Sequence, residues 1–254
     1  MNTLVWSYDK NVRTDKYLGK TIDFYKASIR KAKNLGYKTV IYTNSHIFDD
    51  LVDEVHHRNN EYIFWDGFKF IPLLERDDDF CLIDGDLLLN KRLPIENMDA
   101  DIIFDVTERR KYSWYYQTGV RLLDTLDIQT IIPEWTIAKV PIFNCGLLRI
   151  TNKEFRELYV DRWKTLHDYC AERMDVFSNK HLNKLSKTRN EYLGTLTTIA
   201  AQYLLTILAH QYNMSWSGIR KDEKIPVCPY YIHYVGANKF SDDITGLTEK
   251  KSRI

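Results

Sequence analysis

No apolar run in the 254 residues approaches the roughly 20 needed to cross a bilayer, so a membrane-spanning helix is excluded. The opening Met1-Asn2-Thr3-Leu4-Val5-Trp6 also lacks the basic-then-apolar layout of a secretion signal, and a cytoplasmic protein is expected. Cysteine is scarce. Cys81, Cys145, Cys170 and Cys228 stand far apart, two of them in apolar strand-like runs, which reads as reduced core thiols rather than a disulfide framework or a zinc site. Nor is there an excess of charge: 36 Lys and Arg against 35 Asp and Glu leave +1, with no global pull toward nucleic acid or an anionic membrane. Any polyanion site must be local. No Pro/Gly/Ser linker, low-complexity tract or repeat divides the chain, so one domain is expected over 1–254. What the chain does have is core material, at 44% apolar with six Trp, seventeen Tyr and eleven Phe.

Leu4 to Tyr8 reads as a strand. Lys20 to Leu35 carries Ile22, Tyr25, Ile29 and Ala32 at helical spacing and stops at Gly36, and Lys38 to Thr43 is the next strand. This βαβ opening implies a parallel sheet with a right-handed crossover. A helix over 46–57, a short strand over Tyr62 to Trp65 and a helix from Phe68 to Leu74 are expected next. Strands follow at Phe80 to Ile83, Ala100 to Val106 and Pro141 to Ile150, with helices over 112–126, 153–174 and 191–211 and a final strand near Tyr230. The alternation predicts an α/β, Rossmann-like, doubly wound domain: a central mixed, mostly parallel sheet flanked by helices. Ligands in such sheets bind beyond the carboxyl ends of the strands, where Tyr8, Asp9 and Asp84 to Asp86 would meet.

The most informative feature is Asp84-Gly85-Asp86, wedged between Phe80-Cys81-Leu82-Ile83 and Leu87-Leu88-Leu89. Side chains at i and i+2 of a strand point the same way. Two carboxylates held so close within apolar sequence need a counter-charge, for which Mg2+ or Mn2+ suits oxygen ligands. The plainer alternative is a turn with both acids solvated. Two other stretches fit a metal-bound diphosphate. Asn144 and Gly146 interrupt an apolar strand, and Gly in a strand often marks close approach of a ligand or another backbone. Near the C-terminus, His233 is followed by Gly236 and Lys239: a metal ligand, a backbone open to an anion and a point charge for phosphate.

In this order the three motifs, Asp-x-Asp, Asn-x-Gly and His-x-x-Gly-x-x-Lys, resemble those of nucleotide-sugar glycosyltransferases of the GT-A fold, closest to family 8, which includes glycogenin and bacterial lipopolysaccharide galactosyltransferases. The resemblance implies a nucleotide-binding part over 1–106 and an acceptor-side part over 107–254. It implies Mn2+ or Mg2+ on Asp84, Asp86 and His233, the diphosphate of a sugar nucleotide (a UDP-sugar) against Gly236 and Lys239, and Lys69 reaching donor phosphate or sugar. Trp6, Ser7, Tyr8 and Asp9 would meet the base and ribose, Gly146 would lie against the donor, and Asp105 would meet hydroxyls of the donor sugar. Asp105, Asn144 and Gln202 are the catalytic candidates. Ala201 stands where the family commonly has Asp, so only Gln202 transfers, and Phe240-Ser241 stand where it has Pro-Trp. The implied activity is transfer of a sugar to an acceptor hydroxyl of a glycan, lipid-linked glycan, protein or modified nucleobase, with retention.

Other features read as structure. His56 and His57 adjoin in a charged segment expected to be surface helix, Asp77-Asp78-Asp79 is a solvated run, and the basic stretch 179–189 is a solvated loop. Tyr112 to Tyr116 suits core packing and a sugar-stacking site equally. Two rival functions stay open: a haloacid-dehalogenase-like phosphatase, in which one Asp is nucleophile and the next general acid, and a GT-A module that binds nucleotide or glycan without turnover.

Overall fold

The structure, a computed structural model, describes residues 2–11, 15–59, 61–62, 67–108, 126–136, 140–173, 199–221 and 227–234, together with Val120, Leu123 and Leu196. Its strands are β1 (Thr3–Tyr8), β2 (Lys38–Thr43), β3 (Glu54–His57), β4 (Cys81–Ile83), β5 (Leu87–Leu89), β6 (Ile102–Glu108), β7 (Ile142–Ile150), β8 (Trp216–Gly218) and β9 (Tyr231–His233). Its α-helices are α1 (Asp15–Asn34), α2 (Gly67–Glu75), α3 (Lys153–Glu172) and α4 (Leu204–Gln211). Seven strands form one sheet in the order β3-β2-β1-β4-β7-β6-β8, and β5 pairs with β9 in a second, two-stranded sheet. In the large sheet only β7 runs against its neighbours, so the sheet is mixed and mostly parallel, as expected.

Both faces of the large sheet are covered, which its residues require. On β1, Leu4, Trp6 and Tyr8 enter the core that contains Ile29 and Ala32 of α1, while Val5 enters the core containing α2, α3 and α4. Successive side chains of a strand point to opposite faces, so two apolar cores demand near-continuous apolar strands. The α1 end is fixed by Gly36, whose φ of 77° is left-handed; the Gly36 N–H donates to the Lys33 carbonyl and the Tyr37 N–H to that of Ala32. Buried Ser28 ties three elements: its hydroxyl accepts from Trp6 Nε1 (3.1 Å) and donates to the Leu87 carbonyl (2.7 Å).

The helix expected over 46–57 is not there. Residues 47–50 form turns, and β3 follows, parallel to β2. Phe48, Leu51, Val52 and Val55 do fall at helical spacing and all pack against the core on the α1 side, but they reach it from turns and an edge strand, so the apolar pattern is satisfied without a helix. Val55 instead pairs with Ile41 on the sheet edge. Of the strand expected at Tyr62 to Trp65 all but Tyr62 lies outside the described residues, as does most of the helix expected over 112–126, while the helix expected over 191–211 is described, and helical, from 199 to 211. Within that stretch Ile199–Tyr203 is a π-helical turn. The widened turn has its carbonyls met by side chains: the Tyr159 hydroxyl donates to Ala201 O (2.7 Å) and the Thr206 hydroxyl to Gln202 O (2.8 Å).

The run Asp77-Asp78-Asp79 is exposed, as expected, and its members are also paired residue by residue, with Lys153, Arg76 and Arg149 respectively. Among the described residues no helix is long and apolar enough to cross a membrane.

Two expectations test this packing. Ser28→Ala strands a buried indole N–H and a carbonyl, and should cost about 2 kcal/mol in urea unfolding; an unchanged midpoint would contradict the link. The Glu54 carboxyl is held down at about 2, against an ordinary 4.5, chiefly by Lys38, whose bond outweighs partial burial, with His56 and Arg76 assisting. A lowered pKa stabilises the fold above the unfolded value and loses that contribution as pH falls through the folded one. Glu54→Gln should therefore flatten the fall in stability between pH 4.5 and 2, measured as urea midpoint against pH.

Candidate active site

The strand β4 stops at Ile83, and the next residues make a tight turn closed by the Leu87 N–H donating to the Asp84 carbonyl (3.1 Å). The acids therefore converge through a turn, not through the strand alternation expected from their spacing. Both ends are anchored. The Asp84 N–H donates to the Gly146 carbonyl (2.8 Å), and the Tyr234 N–H donates to the Asp86 carbonyl (3.0 Å). Between the acids, Gly85 lies under the Tyr25 ring, where an added Cβ would meet ring carbons at 2.2 Å. The ring is held by its hydroxyl, which donates to the Ser7 carbonyl (2.7 Å).

The β5–β9 ladder sets Leu87 opposite His233, which brings a histidine from the far end of the chain to the acidic turn. One ligand atom from each of Asp84, Asp86 and His233 lies within 4.8 Å of the other two. His233 Nε2 is 3.5 Å from Asp86 Oδ1, while Nδ1–H donates to Asp105 Oδ2 at 2.6 Å. Asp105 in turn accepts from Arg220 Nε (2.5 Å) and a second guanidinium nitrogen (2.6 Å), and from the Tyr231 hydroxyl (2.5 Å). With no exposed surface, Asp105 faces His233 rather than any sugar, which corrects the role expected for it.

The charges in this cluster close on themselves. Burial works to raise the Asp105 carboxyl, but the bonds from His233 and Arg220 outweigh it and hold it at about 2. Burial likewise opposes charge on His233, yet Asp105 and then Asp86 push it up to about 10. Burial and the neighbouring Asp105 charge raise the Tyr231 phenol, which stays protonated and donates. Lys69, from the first turn of α2, places Nζ 2.5 Å from Asp84 Oδ1. Three carboxylates thus meet three cations: Lys69, His233 and Arg220. The counter-charge that the acids need is supplied in part by the chain itself.

A divalent metal nonetheless fits the donor set. Two carboxylates and an imidazole suit Mn2+ or Mg2+ with remaining positions left to substrate and water, and a carboxylate behind the imidazole is the usual support for a metal-binding histidine. Gly146 makes room for that ring: an added Cβ would stand 2.2 Å from His233 Cε1. The close approach foreseen for Gly146 is therefore made by the imidazole, not by the donor. It occurs at an irregularity of β7, where Phe104 pairs with Leu148 but Val106 with Asn144, leaving Cys145, Gly146 and Leu147 opposite Asp105 alone. The Gly146 N–H, displaced from the ladder, donates to Asn144 Oδ1 (2.9 Å), and Asn144 Nδ2 donates to Glu108 (2.5 Å). Asn144 is buried, and these contacts make it a support of the bulge.

The remaining expected residues divide. Trp6 is buried with its indole on Ser28, and Tyr8 packs edge-on against Tyr25 and Phe48, so neither ring is open to a base. Ser7 is half-buried as a residue, with its hydroxyl oxygen buried and unpartnered among the described residues, and Asp9 accepts from Asn44 Nδ2 and the Asn11 N–H at the carboxyl end of β1. Gln202 is partly exposed on the π-helical turn; Thr206, which bonds its carbonyl, also accepts from the Phe143 N–H beside Asn144. Gly236 and Lys239 lie outside the described residues. Sequence reasoning missed Arg220, Tyr231 and Tyr25. Tyr231 was findable, since it sits two residues before His233 and shares its face of β9; Arg220 has no local signal.

No family model matches the chain, and no curated protein matches it. Solved structures with similar arrangements include the galactosyltransferase LgtC in complex with donor and acceptor sugar analogs, at 13% identity and a TM-score of 0.39, over 77% of this chain and 70% of that one. The glycosyltransferase GlyE of Streptococcus pneumoniae matches at 13% and 0.42, over 87% of this chain, which spans only 46% of GlyE. Mouse xyloside xylosyltransferase 1 matches at 10% and 0.42, over 85% and 84%. Likenesses this faint assign no activity.

Gly146→Ala should displace His233 while leaving the sheet folded, at an overpacking cost of about 1–3 kcal/mol. Calorimetric Mn2+ affinity should fall by at least roughly tenfold; unchanged affinity would detach the imidazole from the metal site.

Proposed function

We propose that the chain is a metal-dependent glycosyltransferase of the GT-A class that moves a sugar from a nucleoside diphosphate, a UDP-sugar being the first donor to test, to an acceptor hydroxyl with retention of configuration. The observation that carries this reading is the β5–β9 register, which sets the imidazole of His233 beside Asp84 and Asp86 at the carboxyl end of β4. A strand-terminal acid pair alone would serve several chemistries; an acid pair completed by a distant, carboxylate-backed histidine favours a resident cation. Mn2+ or Mg2+ held there would neutralise charge on the departing nucleoside diphosphate.

The chain's own groups do the rest. Asp105 fixes the His233 ring so that Nε2 faces the acidic turn, and Arg220 and Tyr231 keep Asp105 in place. Lys69 sets an ammonium at the rim, where it can leave Asp84 for a phosphate oxygen. Gly236 and Lys239 are proposed for the diphosphate and Ser7 and Asp9 for the nucleoside, on the motif resemblance. Gln202 is the residue proposed nearest the reacting sugar. No protein nucleophile is assigned.

The decisive assay is turnover of labelled sugar nucleotide, to acceptor or to water, with and without a chelator. Asp84→Ala and Asp86→Ala should each lower turnover by at least about 100-fold with circular dichroism unchanged; undiminished activity in either defeats the assignment. Release of inorganic phosphate from a monoester would point to the phosphatase instead, and binding without turnover to a non-catalytic module. Thermal-shift screening of nucleoside diphosphate sugars with Mn2+ should identify the donor as the largest rise in melting temperature.

A further inference from the structure

A second set of ligand-type side chains lies at the outer edge of the sheet. His46 and Asp49 flank a turn closed by the Asp49 N–H donating to the His46 carbonyl (3.3 Å), and His57 ends β3. His46 Nδ1 is 2.8 Å from Asp49 Oδ2, His57 Nε2 is 3.2 Å from Asp49 Oδ1, and one ligand atom from each residue falls within 4.8 Å of the others. The two imidazole centroids are 4.3 Å apart. One carboxylate therefore stands between two imidazoles, each presenting a nitrogen to it.

The backbone that carries them is pinned. Phe48, inside the turn, is fully buried and packs edge-on against Tyr8. His57 is fixed by its pairing with Thr43, and the following Arg58 N–H donates to the Thr43 carbonyl (2.9 Å). His56 takes the opposite face of β3, stacked on Tyr42 at 4.4 Å with Nε2 on Glu54, so the adjacent pair presents only His57 to the turn. This placement replaces the surface helix expected for both histidines.

We propose that His46, Asp49 and His57 form a binding site for a divalent late-transition-metal ion of the zinc class. Two imidazoles and one carboxylate are a nitrogen-rich set, which suits zinc better than the oxygen-rich acidic turn does. Zinc–nitrogen bonds of about 2.0–2.1 Å place the donors of one ion roughly 3–3.5 Å apart, and exposed side chains on a fixed backbone close to that spacing by rotation. Water completes the shell. The ion joins the β2–β3 connection to the edge strand that follows it, and the site is independent of the glycosyltransferase reading.

The test uses the full chain without a histidine tag, stripped with chelator and titrated with Zn2+ against a chromophoric competitor, with the visible spectrum of the Co2+ form as a second readout. One equivalent should persist in Asp86→Ala and in His56→Ala. In His46→Ala and in His57→Ala its affinity should fall by more than the roughly 10–100-fold that outer-shell changes cost, with loss of the cobalt bands. Those two side chains are 82% and 41% exposed, so the variants should fold, as circular dichroism will show. His57→Gln supplies a second variant should His57→Ala not fold. Equal zinc affinity in the wild type and the His46 and His57 variants, or loss of the equivalent in Asp86→Ala or His56→Ala, overturns the proposal.

Discussion

The contact on which the site depends is the one between Asp105 and His233. A carboxylate with no exposed surface is costly to keep ionised, and here it is kept so by three donors from two separate stretches: Arg220 after β8, and Tyr231 and His233 from β9. Because each donor is itself enclosed, the arrangement leaves the imidazole little freedom of rotation. Its outer nitrogen can only face Asp86, and the short β5–β9 ladder holds it there.

A single buried carboxylate thereby couples the two sheets. Asp105 belongs to β6 of the large sheet, His233 to the small one, and the acidic turn is the segment that passes from β4 in the first to β5 in the second. Ser28 performs an uncharged version of the same task, linking β1, α1 and β5 through one hydroxyl. The site sits where these links meet, so its geometry is set by packing on both sides of the large sheet and not by the turn alone.

Much of this was legible in the sequence. The apolar runs of β1, β2, β4 and β7 and the spacing of α1 carry their structure locally, and Gly36 stops α1 where a left-handed residue is needed. Asp84, Asp86 and His233 were named from motif chemistry, and the structure brings them together. What could not be read was partnership. Nothing local to Asp105 says that it faces Arg220, and nothing around Trp6 says that its indole is spent on Ser28. The segment 46–57 misled because Phe48, Leu51, Val52 and Val55 keep a helical interval that turns followed by a strand also bury, and His56 and His57 separate only once β3 is known to be a strand. Gly146 was singled out for close approach of a ligand or another backbone, whereas the group that approaches it is the His233 ring, brought there by a register formed with residues far later in the chain.

The irregularity in β7 has a wider effect than seating one ring. Phe143 and Cys145 before it, and Leu148 and Ile150 after it, all enter the same core, although a regular strand would send odd and even positions to opposite sides. The strand thus undergoes a half-period phase slip at Gly146 and Leu147. From Phe143 to Cys145 and from Leu148 to Ile150 β7 is scaffold, obeying the alternation that packs an α/β sheet; between them the chain is released from that alternation. Straightening the slip would perfect the ladder and erase the recess.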